Sequence, residues 1–201
     1  MLRVGLTGGL ASGKTFVGRE LANLGCLLIR ADELGHQVLA PGGEAYDATL
    51  REFGPAILNH DATINRRSLA ALVFHDRAQL ARLNAIVHPP VQALERRLMD
   101  RYAATHAHGI AVVEAAILVE TGSYRDFAKL IVAVCGDEQQ IERAMARDGM
   151  NREQALERLN RQMPLAEKIK YADYVIDTSG AKENTLAQTR AVHQALLALK
   201  P

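Results

Sequence analysis

Short apolar runs and amphipathic helical segments alternate along most of the chain. Five mostly apolar runs predict strands, at residues 2–7, 26–29, 110–117, 130–135 and 172–177. The segments that follow them carry apolar residues at helical spacing instead. Strands separated by helices predict a three-layer α/β fold, in which helices cover both faces of a mostly parallel five-stranded sheet.

Between residues 44 and 107 the pattern changes, because no strand-like run interrupts the helical spacing. Residues 54–66 are expected to form a loop between two of these helices. His88-Pro89-Pro90 is expected to end one helix and to start the next, since proline disfavours helical backbone at the residue before it. The segment therefore predicts an inserted lobe made of helices.

A glycine-rich loop, residues 8–15, joins the first predicted strand to the first helix. Strand, glycine turn and helix together are the setting that a phosphate-binding loop requires, because backbone N–H groups then point at an anion. Lys14 brings a positive charge to the β- and γ-phosphates, and the Thr15 hydroxyl is suited to Mg²⁺. The predicted nucleotide-binding residues of the loop are Leu10, Ala11, Ser12, Gly13, Lys14 and Thr15.

Composition limits the classes of partner. The net charge is +1, Trp is absent, and Lys and Arg form no block, which argues against nucleic acid as a main partner. No apolar run approaches the ~20 residues that span a bilayer, so no membrane is expected. Cys26 and Cys135 lie in strand-like runs and indicate buried thiols, which fits a cytoplasmic protein. The oligomeric state is left open between a monomer and a weak oligomer.

Asp32 follows the second predicted strand, at the sheet edge where ligands of parallel sheets gather. As a carboxylate near the γ-phosphate, it would accept a proton from an acceptor hydroxyl or hold Mg²⁺ through water. The alternative is that Asp32 caps the N-terminus of the helix that begins at Glu33. The residues alone leave both interpretations open.

Two arginines, Arg143 and Arg147, are one turn apart on a helix predicted over 137–147. At that spacing they suit a clamp on phosphates, although a solvated helix face paired with Glu142 and Asp148 is the alternative that the pattern favours. The next helix is predicted to begin with a capping box formed by Asn151 and Gln154. Two acidic residues, Glu114 and Glu120, lie near the end of the third strand as candidates for metal or substrate contact.

Many of these residues occur in the order found in dephospho-coenzyme A kinases, and the chain resembles that family over nearly its whole length. The matching stretches are Leu6-Thr7-Gly8-Gly9, Ser12-Gly13-Lys14-Thr15, Ala31-Asp32, Pro41-Gly42, Phe53-Gly54, Arg67 with Leu69, Val73-Phe74, His88-Pro89, Ile117-Leu118-Val119-Glu120, Gln140 to Arg143, Arg147, Gln162 and Ala172-Asp173-Tyr174-Val175-Ile176-Asp177. Thr-Gly-Gly, His-Pro and the last stretch make the resemblance specific.

The resemblance implies that the ATP γ-phosphoryl group passes to the ribose 3′-hydroxyl of dephospho-CoA, with Mg²⁺ as cofactor. It implies a P-loop nucleotide-kinase core (residues 1–39, 108–136 and 164–201), a helical CoA-binding lobe (40–107) and a helical lid (137–163). Lys14, Asp32 and Arg143 are the implied catalytic residues, with Asp32 as base, and Arg143 and Arg147 bind ATP phosphates. Asp32, Arg67, His88 and Glu120 are the implied contacts to the acceptor.

Several positions depart from the family pattern: Ala11, Phe16, Arg30, Glu114, Ala116 and Thr178. Because Lys14, Thr15 and Asp32 are all present, activity is expected. The alternatives are a kinase of another nucleoside or nucleotide and a nucleotide-binding module without turnover. A GTP-hydrolysing switch fits Asp32-Glu33-Leu34-Gly35, but the chain contains no Asn-Lys-x-Asp guanine reader.

Overall fold

A parallel β-sheet forms the centre of the computed structural model, which describes residues 1–74 and 76–199. Within those residues the strands are β1 (Leu2–Gly8), β2 (Leu27–Arg30), β3 (Ile110–Glu114), β4 (Lys129–Val134) and β5 (Tyr174–Asp177). They lie in the order β2-β3-β1-β4-β5, and the pairs β1–β3, β1–β4 and β4–β5 run parallel. The predicted five-stranded α/β sheet is confirmed.

Helices fill most of the chain between the strands. They are α1 (Lys14–Asn23), α2 (Ala31–Val38), α3 (Tyr46–Phe53), α4 (Arg66–Phe74), α5 (Arg77–Thr105), α6 (Asp137–Asp148), α7 (Arg152–Asn160), α8 (Leu165–Ile169) and α9 (Lys182–Ala198). Short 3-10 helices occur at Pro55–Ile57 and Ser123–Asp126. Among the described residues, none of the helices has the length and apolar character needed to cross a membrane.

The central strand β1 lies between β3 and β4 and is buried from Val4 to Gly8. Its apolar side chains pack with those of the neighbouring strands and of α1 and α9, in a cluster that includes Val4, Leu6, Val17, Leu21, Val112, Ile131, Val192 and Leu196. Burial on both faces explains why these strands are almost continuously apolar. The glycine-rich loop therefore emerges from the middle of the sheet, at its carboxyl edge.

The chain divides into two compact units, Met1–Ile29 with Arg101–Pro201 and Arg30–Asp100. The second unit has its own apolar cluster of Ile57, Ile64, Leu69 and Val73. Its predicted loop contains an isolated antiparallel bridge between Leu58 and Ile64, besides a 3-10 turn. The predicted lobe 40–107 and core segment 164–201 include residues 75, 200 and 201, which lie outside the described residues.

A predicted helix break and a predicted strand end are wrong. One continuous helix, α5, runs through His88-Pro89-Pro90, where a break is expected. An interior proline costs a helix roughly 3 kcal/mol, and the burial of Val91 and Met99 on the same helix favours its continuation. Strand β3 ends at Glu114, before the predicted residue 117, because the chain turns away after Ala115 N–H bonds to Leu6 O at 3.0 Å.

The predicted capping box at the start of α7 is confirmed. Asn151 Oδ1 accepts a hydrogen bond from Gln154 N at 2.9 Å, and Gln154 Oε1 accepts one from Asn151 N at 3.1 Å. Both N-terminal donors are thereby satisfied, as expected for this motif.

Asp173, just before β5, connects β5 to β4. Its carboxylate accepts hydrogen bonds from Lys129 Nζ at 2.7 Å and from Leu130 N at 2.8 Å. Although burial acts to raise the pKa of Asp173, these bonds lower it below its ordinary value. Asp173 thus has a structural role within the Ala-Asp-Tyr-Val-Ile-Asp segment.

We expect Asp173→Ala to lower the free energy of unfolding by about 1 kcal/mol at pH 7, because a backbone donor and an exposed ion pair lose their acceptor. The folded-state pKa lies below the unfolded value of about 3.9, so this stabilisation is present above that pH and is lost as pH falls through the folded pKa. Urea unfolding at pH 7 and near pH 3 measures the difference. An equal loss of unfolding free energy at both pH values would contradict this dependence on pH. Asp173→Asn keeps one acceptor oxygen, so at pH 7 its stability should lie between those of Asp173→Ala and the unmodified chain.

Candidate active site

The glycine-rich loop turns tightly between β1 and α1. Gly13 has a φ of +85°, in the left-handed region that favours glycine, and Ala11 adopts a φ of +47°. A β-carbon on Gly8 would collide with Ser12 Oγ and with the carbonyl oxygen of Ala133. Glycine is therefore required at position 8 by the lack of space for a β-carbon and favoured at position 13 by the backbone conformation.

Lys14 folds back over this loop. Its Nζ donates a hydrogen bond to Gly9 O at 2.6 Å and lies 3.5 Å from Gly8 O. The side chain is half-buried, and its ammonium group is held at the mouth of the loop by backbone carbonyls. A charge in this place suits the oxygens of a phosphate chain.

Two buried polar atoms line the loop without a hydrogen-bond partner among the described residues: Ser12 Oγ and Gln140 Oε1. The Gln140 amide nitrogen bonds to Asp137 Oδ1 at 3.2 Å, and its oxygen occupies the space that a β-carbon on Gly9 would need. Buried polar groups are rarely left unsatisfied in folded proteins. A hydroxyl inside a phosphate-type loop is a donor to which an anion would bind.

Thr15, in the first turn of α1, contacts Glu114, the last residue of β3. The Thr15 hydroxyl donates a hydrogen bond to Glu114 Oε1 at 2.7 Å, and Glu114 is buried. From the sequence alone, Glu114 is only one of two candidates for contact with metal or substrate. The parallel register, which pairs Leu6 with Glu114, is what brings the carboxylate next to the loop.

A hard cation fits this pair, since hydroxyl and carboxylate oxygens are the ligands that Mg²⁺ prefers. In the described part of the chain, no group of three or more His, Cys, Asp or Glu side chains is arranged to hold a metal. Mg²⁺ keeps several waters and takes few protein ligands beside phosphates.

Arg143 connects α6 to the loop after β5. Its guanidinium donates to Thr178 O at 2.7 Å and to Thr178 Oγ1 at 3.2 Å, while Thr178 Oγ1 donates to Ser12 O at 2.9 Å. From the sequence, Thr178 is recognisable only as a departure from the family pattern. In this structure the threonine joins the predicted phosphate-binding arginine to the glycine-rich loop.

Arg147 lies on the exposed side of α6. Its Nε and Nη2 donate to the carboxylate of Asp148 at 2.7 and 2.9 Å, and these hydrogen bonds lower the pKa of Asp148. This is the pairing that the solvated-face interpretation expects. Arg143 thus contacts a residue that bonds to the loop, whereas Arg147 pairs with its neighbour Asp148.

Leu10 attaches the loop to the helices of the predicted lid. Its side chain is buried in a cluster with Ile141, Ala144 and Ala155 of α6 and α7, against which Ala11 also packs. Leu10 is therefore suited to contact a nucleotide only through its backbone, because its side chain faces this cluster.

Asp32 is the second residue of α2 and is exposed. The N-cap of this helix is Arg30, so the interpretation of Asp32 as an N-cap is wrong. The helix starts earlier than predicted, at Ala31, which places the carboxylate in the first turn, where it interacts favourably with the helix dipole. Its neighbour Glu33 pairs with Arg30 at 2.5 Å.

Two of the other predicted acceptor residues, Arg67 and His88, lie on helices α4 and α5. Arg67 is exposed in the first turn of α4, and its backbone N–H bonds to Asn65 Oδ1 at 3.1 Å. His88 is half-buried in α5, and burial lowers the pKa of its imidazole below the ordinary value. A neutral imidazole at physiological pH follows.

Glu120 binds a lysine, Lys168, that the sequence pattern does not single out. Its carboxylate pairs with Lys168 Nζ at 2.8 Å and accepts a hydrogen bond from Met163 N at 3.2 Å. Nothing in the local pattern distinguishes Lys168 from its exposed neighbours on α8. Only the packing of α8 shows that this lysine is fully buried.

Comparisons with known proteins show which family the chain resembles over its length. A family model described as dephospho-CoA kinase matches residues 2–184. A dephospho-CoA kinase of Syntrophus aciditrophicus is 36% identical over 98% of this chain and 84% of its own length. That of Aquifex aeolicus is 38% identical over 98% of both chains. A crystal structure from Thermus thermophilus has a TM-score of 0.81 and 30% identity, covering 100% of this chain and 98% of its own.

We expect Gly13→Ala to destabilise the protein more than Gly25→Ala. Both glycines have a positive φ, +85° and +92°, so both alanines carry left-handed strain of roughly 1–2 kcal/mol. Only at Gly13 does the β-carbon crowd another side chain, that of Thr178 at 2.9–3.0 Å. Thermal unfolding and ADP titration measure the effects: Gly13→Ala should weaken binding at least tenfold, and Gly25→Ala should not. Equal losses for both variants would contradict the crowding.

Proposed function

The chain belongs to the dephospho-CoA kinase family, and we propose that it performs that reaction with ATP held by the glycine-rich loop. The reaction transfers the γ-phosphoryl group of ATP to the ribose 3′-hydroxyl of dephospho-CoA, giving coenzyme A and ADP. Neither a different acceptor nor a module without turnover receives support from the relatives.

The arrangement of Lys14 and Ser12 is the observation that supports the loop as the ATP site. Lys14 Nζ is bound to the Gly9 carbonyl, and the buried Ser12 hydroxyl lacks a partner among the described residues. Backbone N–H groups at the start of α1 add the positive end of the helix dipole. These groups stabilise the negative charge that spreads over the oxygens of the phosphoryl group during its transfer.

Mg²⁺ is the proposed cofactor, and Thr15 with Glu114 would hold it. When bound, it neutralises charge on the β- and γ-phosphates. Because the Thr15 hydroxyl donates its proton to Glu114, its oxygen lone pairs are directed away from that carboxylate and remain available as a ligand. Glu114 thus orients Thr15 and carries the negative charge that a cation requires nearby.

Asp32 is the proposed base toward the ribose hydroxyl. A hydroxyl must lose its proton as the new P–O bond forms, and an exposed carboxylate can accept it. Support comes from the position of Asp32, two residues after the end of β2, and from its exposure, which leaves the carboxylate in water. Arg67 and His88 are the proposed contacts to dephospho-CoA, and the neutral His88 would contribute a hydrogen bond and not a charge.

The segment 137–163 is the proposed lid. Arg143 bonds to Thr178 and Arg147 to Asp148, so binding of ATP phosphates would exchange these partners for phosphate oxygens. Such closure completes a site and excludes water. The cytoplasm, which supplies ATP, is the proposed location.

Lys14→Ala should retain the fold and lose turnover by a factor of hundreds, since a lost charge contact of ~3–4 kcal/mol changes the rate to that extent. The measurement is chromatographic detection of coenzyme A formed from dephospho-CoA and ATP, with AMP, adenosine and pantetheine as competing acceptors. Near-normal turnover of a folded Lys14→Ala protein would exclude the loop as the phosphate site. Preference of the unmodified chain for another acceptor would contradict the reaction itself.

Asp32→Asn should lose ~10²–10⁴-fold in kcat while its melting temperature and ATP affinity stay close to those of the unmodified chain. Asparagine has nearly the same size but cannot serve as a base. Glu33→Gln, one residue further on, is the matched control, because it also removes an exposed carboxylate from the first turn of α2. If both variants turn over alike, Asp32 is not the base.

A further inference from the structure

Lys168 is a fully buried lysine, with 0% of its surface exposed, on the short helix α8. A buried ammonium is costly unless it is paired and its three N–H donors are satisfied. Lys168 Nζ meets both conditions: it lies 2.7 Å from Ala116 O, 3.2 Å from Gly8 O and 2.8 Å from Glu120 Oε1.

These three acceptors come from separate parts of the chain. Gly8 is the last residue of β1 and the first of the glycine-rich loop, while Ala116 lies just after β3. Glu120 accepts a second hydrogen bond from Met163 N, where the predicted lid ends and the chain enters α8. One ammonium group therefore connects the start of the loop, the exit of β3 and the base of the lid.

Lys168 also shares an acceptor with Lys14. The Gly8 carbonyl is 3.2 Å from Lys168 Nζ and 3.5 Å from Lys14 Nζ, and Lys14 makes its shorter bond, 2.6 Å, to Gly9 O. A carbonyl already bonded to one ammonium is a poorer acceptor for a second, and like charges repel. Lys168 thereby favours the position of Lys14 toward the mouth of the loop.

We propose that Lys168 is a positioning residue for phosphoryl transfer, which fixes the glycine-rich loop and the Lys14 ammonium by binding the Gly8 carbonyl. This inference rests on the proposed function, because it assigns the loop to ATP. Lys168 does not touch the nucleotide, since it is buried and its donors are directed to protein oxygens. Its effect on the reaction passes through the loop.

Lys168→Met tests the charge, but it leaves the Gly8 and Ala116 carbonyls and the Glu120 carboxylate without their ammonium partner and is expected to destabilise the fold. The decisive variant is therefore Lys168→Met with Glu120→Gln, which removes both charges and keeps an oxygen for Met163 N–H. Replacing both partners of an ion pair avoids leaving one charge without its partner and is often tolerated. Its reference is Glu120→Gln alone, and Lys170→Met on the same turn is the control, because Lys170 is exposed and pairs with Glu167.

At a temperature where every variant is folded by circular dichroism, we expect the double variant to have a kcat 10–100-fold below that of Glu120→Gln, with its KM for dephospho-CoA within about threefold. Lys168→Arg, which keeps the charge, should recover most of kcat, and Lys170→Met should match the unmodified chain. Amide hydrogen exchange of residues 8–13 should be faster in the double variant, a readout that does not depend on activity.

A double variant that folds, has the kcat of Glu120→Gln and shows unchanged exchange in the loop would overturn the positioning role and leave Lys168 as a structural ion pair. An unmodified chain that forms no coenzyme A would instead contradict the proposed function. The two failures are distinguished because the exchange measurement needs no substrate.

Discussion

The buried end of β1 sets the conditions for the rest of this molecule. The strand lies in the middle of the sheet and passes directly into the glycine-rich loop, so the polar backbone of Gly8 and Gly9 must find partners in an apolar surrounding. Lys14 and Lys168 supply those partners from two sides. Positive charge therefore collects at this point for a structural reason as well as for the proposed function.

Each element around the loop is tied to it by a specific contact. Glu114, on β3, binds the Thr15 hydroxyl, while Thr178, after β5, binds the Ser12 carbonyl and holds Arg143. Leu10 packs into the cluster of α6 and α7. Preorganised groups of this kind lower the cost of arranging charge during a reaction. The loop is therefore supported on its strand side and on its helix side.

The residues proposed to contact the acceptor are placed differently. Asp32, Arg67 and His88 belong to the unit Arg30–Asp100, which has its own apolar core, and Asp32 and Arg67 are exposed. Exposed side chains on a separate unit can adapt to a substrate as large as dephospho-CoA. A largely buried glycine-rich loop and exposed candidate acceptor residues suit the proposed reaction, which needs close placement mainly at the transferred group.

The sequence by itself determined the features that depend on local pattern. These are the apolar strands that alternate with helices, the glycine-rich loop with Lys14 and Thr15, and the capping box at Asn151. These depend on neighbours within a few residues, so their signals are short-range. Tertiary structure alone decided that α5 continues through Pro89 and Pro90, and that α2 begins before Asp32. It also decided that Lys168, one of several lysines and arginines in its region, is the buried one, because burial of a charge depends on carbonyls and a carboxylate contributed by distant segments.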